Sequence, residues 1–105
     1  MMKRVLYAGG EFRTTDELAE QVVHFAAELA NNGAAAEVEV PGILPDGTHG
    51  MIALVLGPAS QLAVFPADED ALDTGDALER ITAARAALVK PPYFPGGPLS
   101  PSIDI

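Results

Sequence analysis

The sequence predicts an α+β domain, with a largely antiparallel sheet and two helices in the order β-α-β-β-β-α. Three observations predict it. Two short apolar runs bounded by turn residues, Met51–Leu56 and Leu62–Phe65, have the length of strands rather than helices. A helical apolar period with end signals at both termini runs through Thr14–Asn32. A second helical stretch, Thr74–Val89, follows the strands and is stopped by Pro91-Pro92. At 105 residues and 49% hydrophobic, the chain suits one domain with a real core. The expected division is a domain over 1–90 and a Pro/Gly-rich tail over 91–105 that packs on it or extends it.

The elements follow in order. Lys3–Ala8 alternates around Val5 and Tyr7 as a first strand, and Gly9-Gly10 ends it in a turn. Its placement, parallel or antiparallel, is open. In the first helix, Thr14 and Glu17 form a T-x-x-E capping box. Leu18, Val22, Phe25, Ala26 and Leu29 share one face, and Gly33 follows as the terminating residue. Ala36–Val40 puts Val38 and Val40 on one face and Glu37 and Glu39 on the other. Pro41-Gly42 breaks or bulges that strand, and Asp46-Gly47 is a hairpin turn. Gly57-Pro58-Ala59-Ser60-Gln61 joins the two apolar runs into a central hairpin, with Pro58 at the second turn position. Ala36–Val40, Met51–Leu56 and Leu62–Phe65 should then form a meander. In the last helix Leu78, Ile81, Ala84 and Leu88 point inward and Arg80 and Arg85 outward. Tyr93 and Phe94 should pin the tail, and Ile103–Ile105 either adds a short edge strand or frays.

Charge is the informative part of the composition. Fifteen acids against six bases leave a net charge of −9, and residues 14–79 hold no Lys or Arg but thirteen of the acids. Direct nucleic-acid binding is disfavoured, because phosphates would be repelled. A basic protein partner would be attracted and its approach accelerated. The densest stretch, Asp68 to Glu79, includes Asp68, Glu69, Asp70, Asp73 and Asp76. Helix-start chemistry explains Asp73, Asp76 and Glu79; Asp68-Glu69-Asp70 exceeds it. The candidate partner-binding acids are these five with Glu37, Glu39, Glu20 and Glu28.

The residues point away from catalysis. With no cysteine, nucleophilic chemistry needs a Ser or Thr beside a base held by a third group. Ser60 has no base assigned to it, and His24 and His49 fall on an outer helix face and in a loop. Glu20, His24 and Glu28 line one helix face but make a weak metal site. Asp68, Asp70 and Glu79 fit three positions of a calcium loop, yet Leu72 and Asp73 occupy the ligand and glycine positions. No catalytic residue, metal or cofactor is expected. No stretch approaches a membrane span, and the absence of cysteine suits a cytoplasmic setting.

Several local motifs carry a family resemblance. They are Thr15-Asp16-Glu17-Leu18, Val38-Glu39-Val40, Asp46-Gly47, Ala53-Leu54-Val55-Leu56-Gly57 with Leu62–Phe65, and the ending Pro101-Ser102-Ile103-Asp104-Ile105. In these the chain resembles immunity proteins of bacterial polymorphic toxin systems, in particular the family often paired with deaminase toxins. The resemblance implies a stoichiometric inhibitor that covers a basic, nucleic-acid-targeting toxin. The helix–three strands–helix order is also that of double-stranded-RNA-binding domains, but the basic cluster they need is missing. The alternative is a small structural or assembly protein, a phage or secretion component docking through its apolar tail.

Overall fold

The computed structural model describes residues 1–89, apart from the side chain of Val89. Lys90, the tail over 91–105 and the expectations placed there lie outside the described residues. The elements are β1 (Met2–Tyr7), β2 (Gly10–Thr15), α1 (Asp16–Asn31), β3 (Ala36–Ile43), β4 (His49–Leu56), β5 (Leu62–Ala67) and α2 (Ala77–Val89). The fold is the expected α+β class, a five-stranded antiparallel sheet with two helices. One further strand, β2, stands between the first strand and the first helix.

That strand exists because the Gly9-Gly10 turn reverses the chain rather than merely ending β1. Tyr7 pairs with Gly10 across a two-residue turn, with Ala8 at φ 51° and Gly9 at φ 84°. Two successive positive φ values match the twist of the flanking strands. Phe12 then pairs with Val5, on the buried face of the sheet.

The sheet order is β4-β3-β2-β1-β5, which corrects the central hairpin and the meander. β3 and β4 pair along their whole length, while β5 pairs with β1, so the two apolar runs occupy opposite edges. The Gly57–Gln61 link still forms a turn, Ser60 N–H donating to Gly57 C=O at 3.0 Å with Pro58 in the second position. Pro41-Gly42 does not interrupt β3, whose register with β4 is continuous from Ala36 to Ile43. The sheet is not flat. β2 and β3 share the single register pair Arg13↔Ile43, and the Tyr7 hydroxyl donates to the Val55 carbonyl. In a flat sheet β1 and β4 would lie about 14 Å apart, three strand spacings. Curling brings them within reach of one side chain.

The core lies between the sheet and the helices. Val5, Phe12, Val40, Leu54 and Leu56 from the sheet meet Leu18, Ala19, Val22, Phe25 and Leu29 of α1 and Ala77 and Ile81 of α2. Thus α1 buries the face its spacing predicts. The opposite sheet face, with Glu37, Glu39, Met51, Ala53 and Val55, is open. On α2 the inward assignment is corrected: Leu78 is 36% exposed and Ala84 is exposed, while Ala77 and Ile81 are buried.

The start of α1 is also corrected by one residue. Thr15 is the N-cap, its hydroxyl accepting from Leu18 N–H at 3.2 Å. Thr14 is fully buried in β2, and its hydroxyl donates to Pro41 C=O at 2.9 Å. Two adjacent threonines therefore do different work, one capping the helix and one tying β2 to β3. Thr15→Ala should lower unfolding free energy by about 0.5–2 kcal/mol through loss of the cap. Thr15→Ser should restore most of it in a denaturant titration; failure of serine to rescue would remove the capping explanation. At the other end Gly33, φ 60°, closes a Schellman turn: its N–H reaches Ala30 C=O and Ala34 N–H reaches Leu29 C=O.

Candidate partner-binding surface

The candidate acids fall into three places. Asp68, Glu69 and Asp70 follow β5 and are exposed, but they are not simply free charge. Arg13 on β2 donates to the Asp68 carbonyl at 3.2 Å and to the Asp70 carboxylate at 3.3 Å. Glu69 lies 3.5 Å from the amino group of Met1. The acids beyond capping needs thus tie the segment after β5 back to the sheet. Asp73 accepts from Gly75 N–H, and Asp76 holds Arg80 at 2.9 Å in the expected i,i+4 pair.

On α1 the Glu20–His24–Glu28 stripe is divided. Glu20 and His24 are exposed, whereas Glu28 is half-buried against α2. Arg85, expected to face outward, grips it: Nε donates to Oε1 at 2.9 Å and Nη2 to Oε2 at 2.6 Å. Its Nη1 donates to Gln21 Oε1 at 2.7 Å. The two-pronged geometry matches the planar guanidinium to the carboxylate. Hydrogen bonding to Arg85, chiefly, holds the Glu28 carboxyl below its usual range, against the opposing effect of desolvation.

The sign for stability follows from that direction. A carboxylate whose pKa is lower in the folded chain contributes stability above the unfolded value, about pH 4.3, and loses it as pH falls through the folded value. The stability difference between the native chain and Glu28→Gln should therefore shrink on acidification below about pH 4.3. Thermal melts of both proteins across that range test it. A difference that stays constant with pH would mean the helix pair does not depend on the ionised form.

Glu37 and Glu39 sit on β3, on the open face, opposite Val55 and Ala53 of β4. Both are exposed, and neither forms an ion pair with another described residue. They line a shallow groove with Arg80, Ile81 and Ala84 of α2, and Arg80 is already held by Asp76. The structure therefore does not gather the nine candidate acids into one patch. It sets the β3 pair apart from the acids that serve α1, α2 and the segment after β5.

The cations complete the electrostatics. Lys3 lies 3.7 Å from Asp16 and Arg4 lies 3.9 Å from Glu11. Arg13, Arg80 and Arg85 hold Asp70, Asp76 and Glu28. Every Lys and Arg among the described residues thus has an acidic partner. Glu17, Glu20, Glu37, Glu39, Asp46, Asp68, Asp73 and Glu79 have no cationic partner among them. The field left over is acidic.

Asp46 and Ser60 each have a local structural task. Asp46 accepts from Thr48 N–H at 2.9 Å, which draws its carboxyl below the usual range and shapes the β3–β4 turn. The Ser60 hydroxyl accepts from Gly57 N–H at 2.8 Å. Among the described residues, no three His, Cys, Asp or Glu side chains converge to hold a metal ion. No helix there is long and apolar enough to cross a membrane. Comparison with known protein families, curated proteins and solved structures finds no match for this chain.

Proposed function

We propose that the chain is an acidic stoichiometric inhibitor, binding a basic protein and covering its nucleic-acid-processing cleft as an immunity protein covers a toxin such as a deaminase. The observation that carries this reading is the pairing of all described cations, which leaves eight acids as the dominant source of field. Such a surface repels nucleic acid and steers a basic protein toward it. The motifs that resemble immunity proteins support the same reading. No cofactor is required, since blocking a cleft is an act of binding.

The test begins with capture of the partner by the full chain, followed by association kinetics across ionic strength. Association should be fast at low salt and fall steeply as the Debye length shrinks to about 3 Å at 1 M. Charge reversal of Glu37, Glu39, Asp68 and Asp73 should slow association more than it hastens dissociation, because rim charges act mainly on the encounter. The complex should also suppress the partner's activity on nucleic acid at one-to-one stoichiometry. Salt-independent association, or a bound partner that remains fully active, would overturn the reading.

A further inference from the structure

We propose that the free edge of β4 is where an extended, basic segment of the partner docks, adding one more strand to the sheet. This rests on the inhibitor reading above and specifies its contact. Among the described residues, β4 has β3 on one side and no strand on the other. Its residues, HGMIALVL, include no Lys, Arg, Asp, Glu or Pro, and its register with β3 has no bulge. Those are the devices by which natural edges resist pairing with another chain. The opposite edge has one of them: β5 carries Pro66 and is two residues shorter. An unguarded edge offers a row of backbone donors and acceptors to an incoming strand.

The flanking side chains define what that strand carries. On the open face Met51 is 54% and Val55 61% exposed, with Ala53 between them. One strand further in, Glu39 lies opposite Ala53 and Glu37 opposite Val55. An added strand would sit about 4.8 Å beyond β4, placing it about 10 Å from β3. A Lys or Arg on that strand can lie across the small Ala53 side chain, pack its stem on Met51, and bring its charge to Glu39. The occupant is therefore an extended segment alternating apolar residues with Lys or Arg. A second copy of this chain fits poorly, since its β4 has no such cation and its β3 would bring two more glutamates. The Val55 end is already met by the Tyr7 hydroxyl, so the docking register falls on His49–Leu54.

The experiment uses the full chain and two end-capped synthetic peptides, one alternating Val with Arg and one alternating Val with Glu. Backbone amide hydrogen exchange is read residue by residue. The Val/Arg peptide should slow exchange between residues 49 and 54, and the Val/Glu peptide should not. Glu37→Gln with Glu39→Gln should weaken binding of the Val/Arg peptide roughly tenfold. Ala53→Lys, a charge placed on an exposed edge position, should abolish it. Thr82→Ala, an uncharged change at an exposed position of α2, should leave it unchanged. The double glutamine variant alters only exposed side chains, so it decides the matter if Ala53→Lys disturbs the fold. Protection elsewhere with β4 unprotected would overturn the edge proposal and leave the inhibitor reading standing. So would equal protection by the Val/Glu peptide, or concentration-dependent protection of β4 in the free protein, which would mark a second copy. A partner captured by the chain that associates independently of salt would instead defeat the inhibitor reading itself.

Discussion

Leu54→Ala should destabilise the fold by about 2–5 kcal/mol, the range for truncating a well-packed core leucine. Leu54 is 2% exposed and lies on β4 opposite Val38, in the cluster that joins the sheet to α1. An edge strand is paired along one side only, so its attachment relies heavily on inward side chains. In β4 those are Ile52, Leu54 and Leu56, of which Leu54 and Leu56 are buried. Met51→Ala provides the control, since Met51 is on the same strand but on the open face and 54% exposed. Its effect should stay within about 0.5 kcal/mol. Urea unfolding of the two variants measures both. If Met51→Ala proved the more costly, the buried face of β4 would have been assigned the wrong way round. Leu54→Ala should also raise exchange at the β4 amides, because loosening the strand loosens the edge offered to a partner.

Gly42→Ala should cost about 1–3 kcal/mol by overpacking. A Cβ at residue 42 would lie 2.7 Å from Ile52 Cδ1, 2.8 Å from Phe12 Cδ2 and 3.1 Å from the Arg13 carbonyl oxygen. The two side-chain tips can rotate away. The carbonyl is backbone and belongs to the register pair that joins β2 to β3. Relief therefore means pushing the β3–β4 hairpin away from the rest of the sheet at its weakest seam. Gly50, opposite Gly42 on β4, has nothing within 4 Å of its added Cβ, so Gly50→Ala should be close to neutral. A denaturation midpoint for Gly42→Ala equal to that of Gly50→Ala would show that β2 and β3 are not held this closely.

The candidate surface was only partly legible from residues. The excess of acid and its base-free span could be read directly, and so could the outward placement of Glu37 and Glu39, because alternation assigns faces. The assignments of Asp70, Glu69 and Glu28 could not. Their partners are Arg13, Met1 and Arg85, each more than fifty positions away in the chain. Charge density along a sequence measures how many groups must be solvated or paired, and nothing local says which.

By itself the sequence determined the α+β class, the buried face of α1, the Gly33 terminus and the Asp46-Gly47 turn. All of these follow from chemistry within a few residues: apolar period, left-handed glycine, side chain bonding to nearby backbone. It did not separate Thr14 from Thr15, since both can cap and only the pairing of β2 with β1 buries one of them. Tertiary structure alone decided which strands are neighbours. The apolar runs Met51–Leu56 and Leu62–Phe65 lie either side of a competent turn, and a hairpin satisfies every local rule. Yet Val5 and Phe12 form a hairpin of their own, and β1 takes β5 as its second partner. Alternation states which face of a strand is buried; it does not state which backbone completes its hydrogen bonds. That choice depends on the curl of the whole sheet around α1, and it is what leaves β4 at an edge.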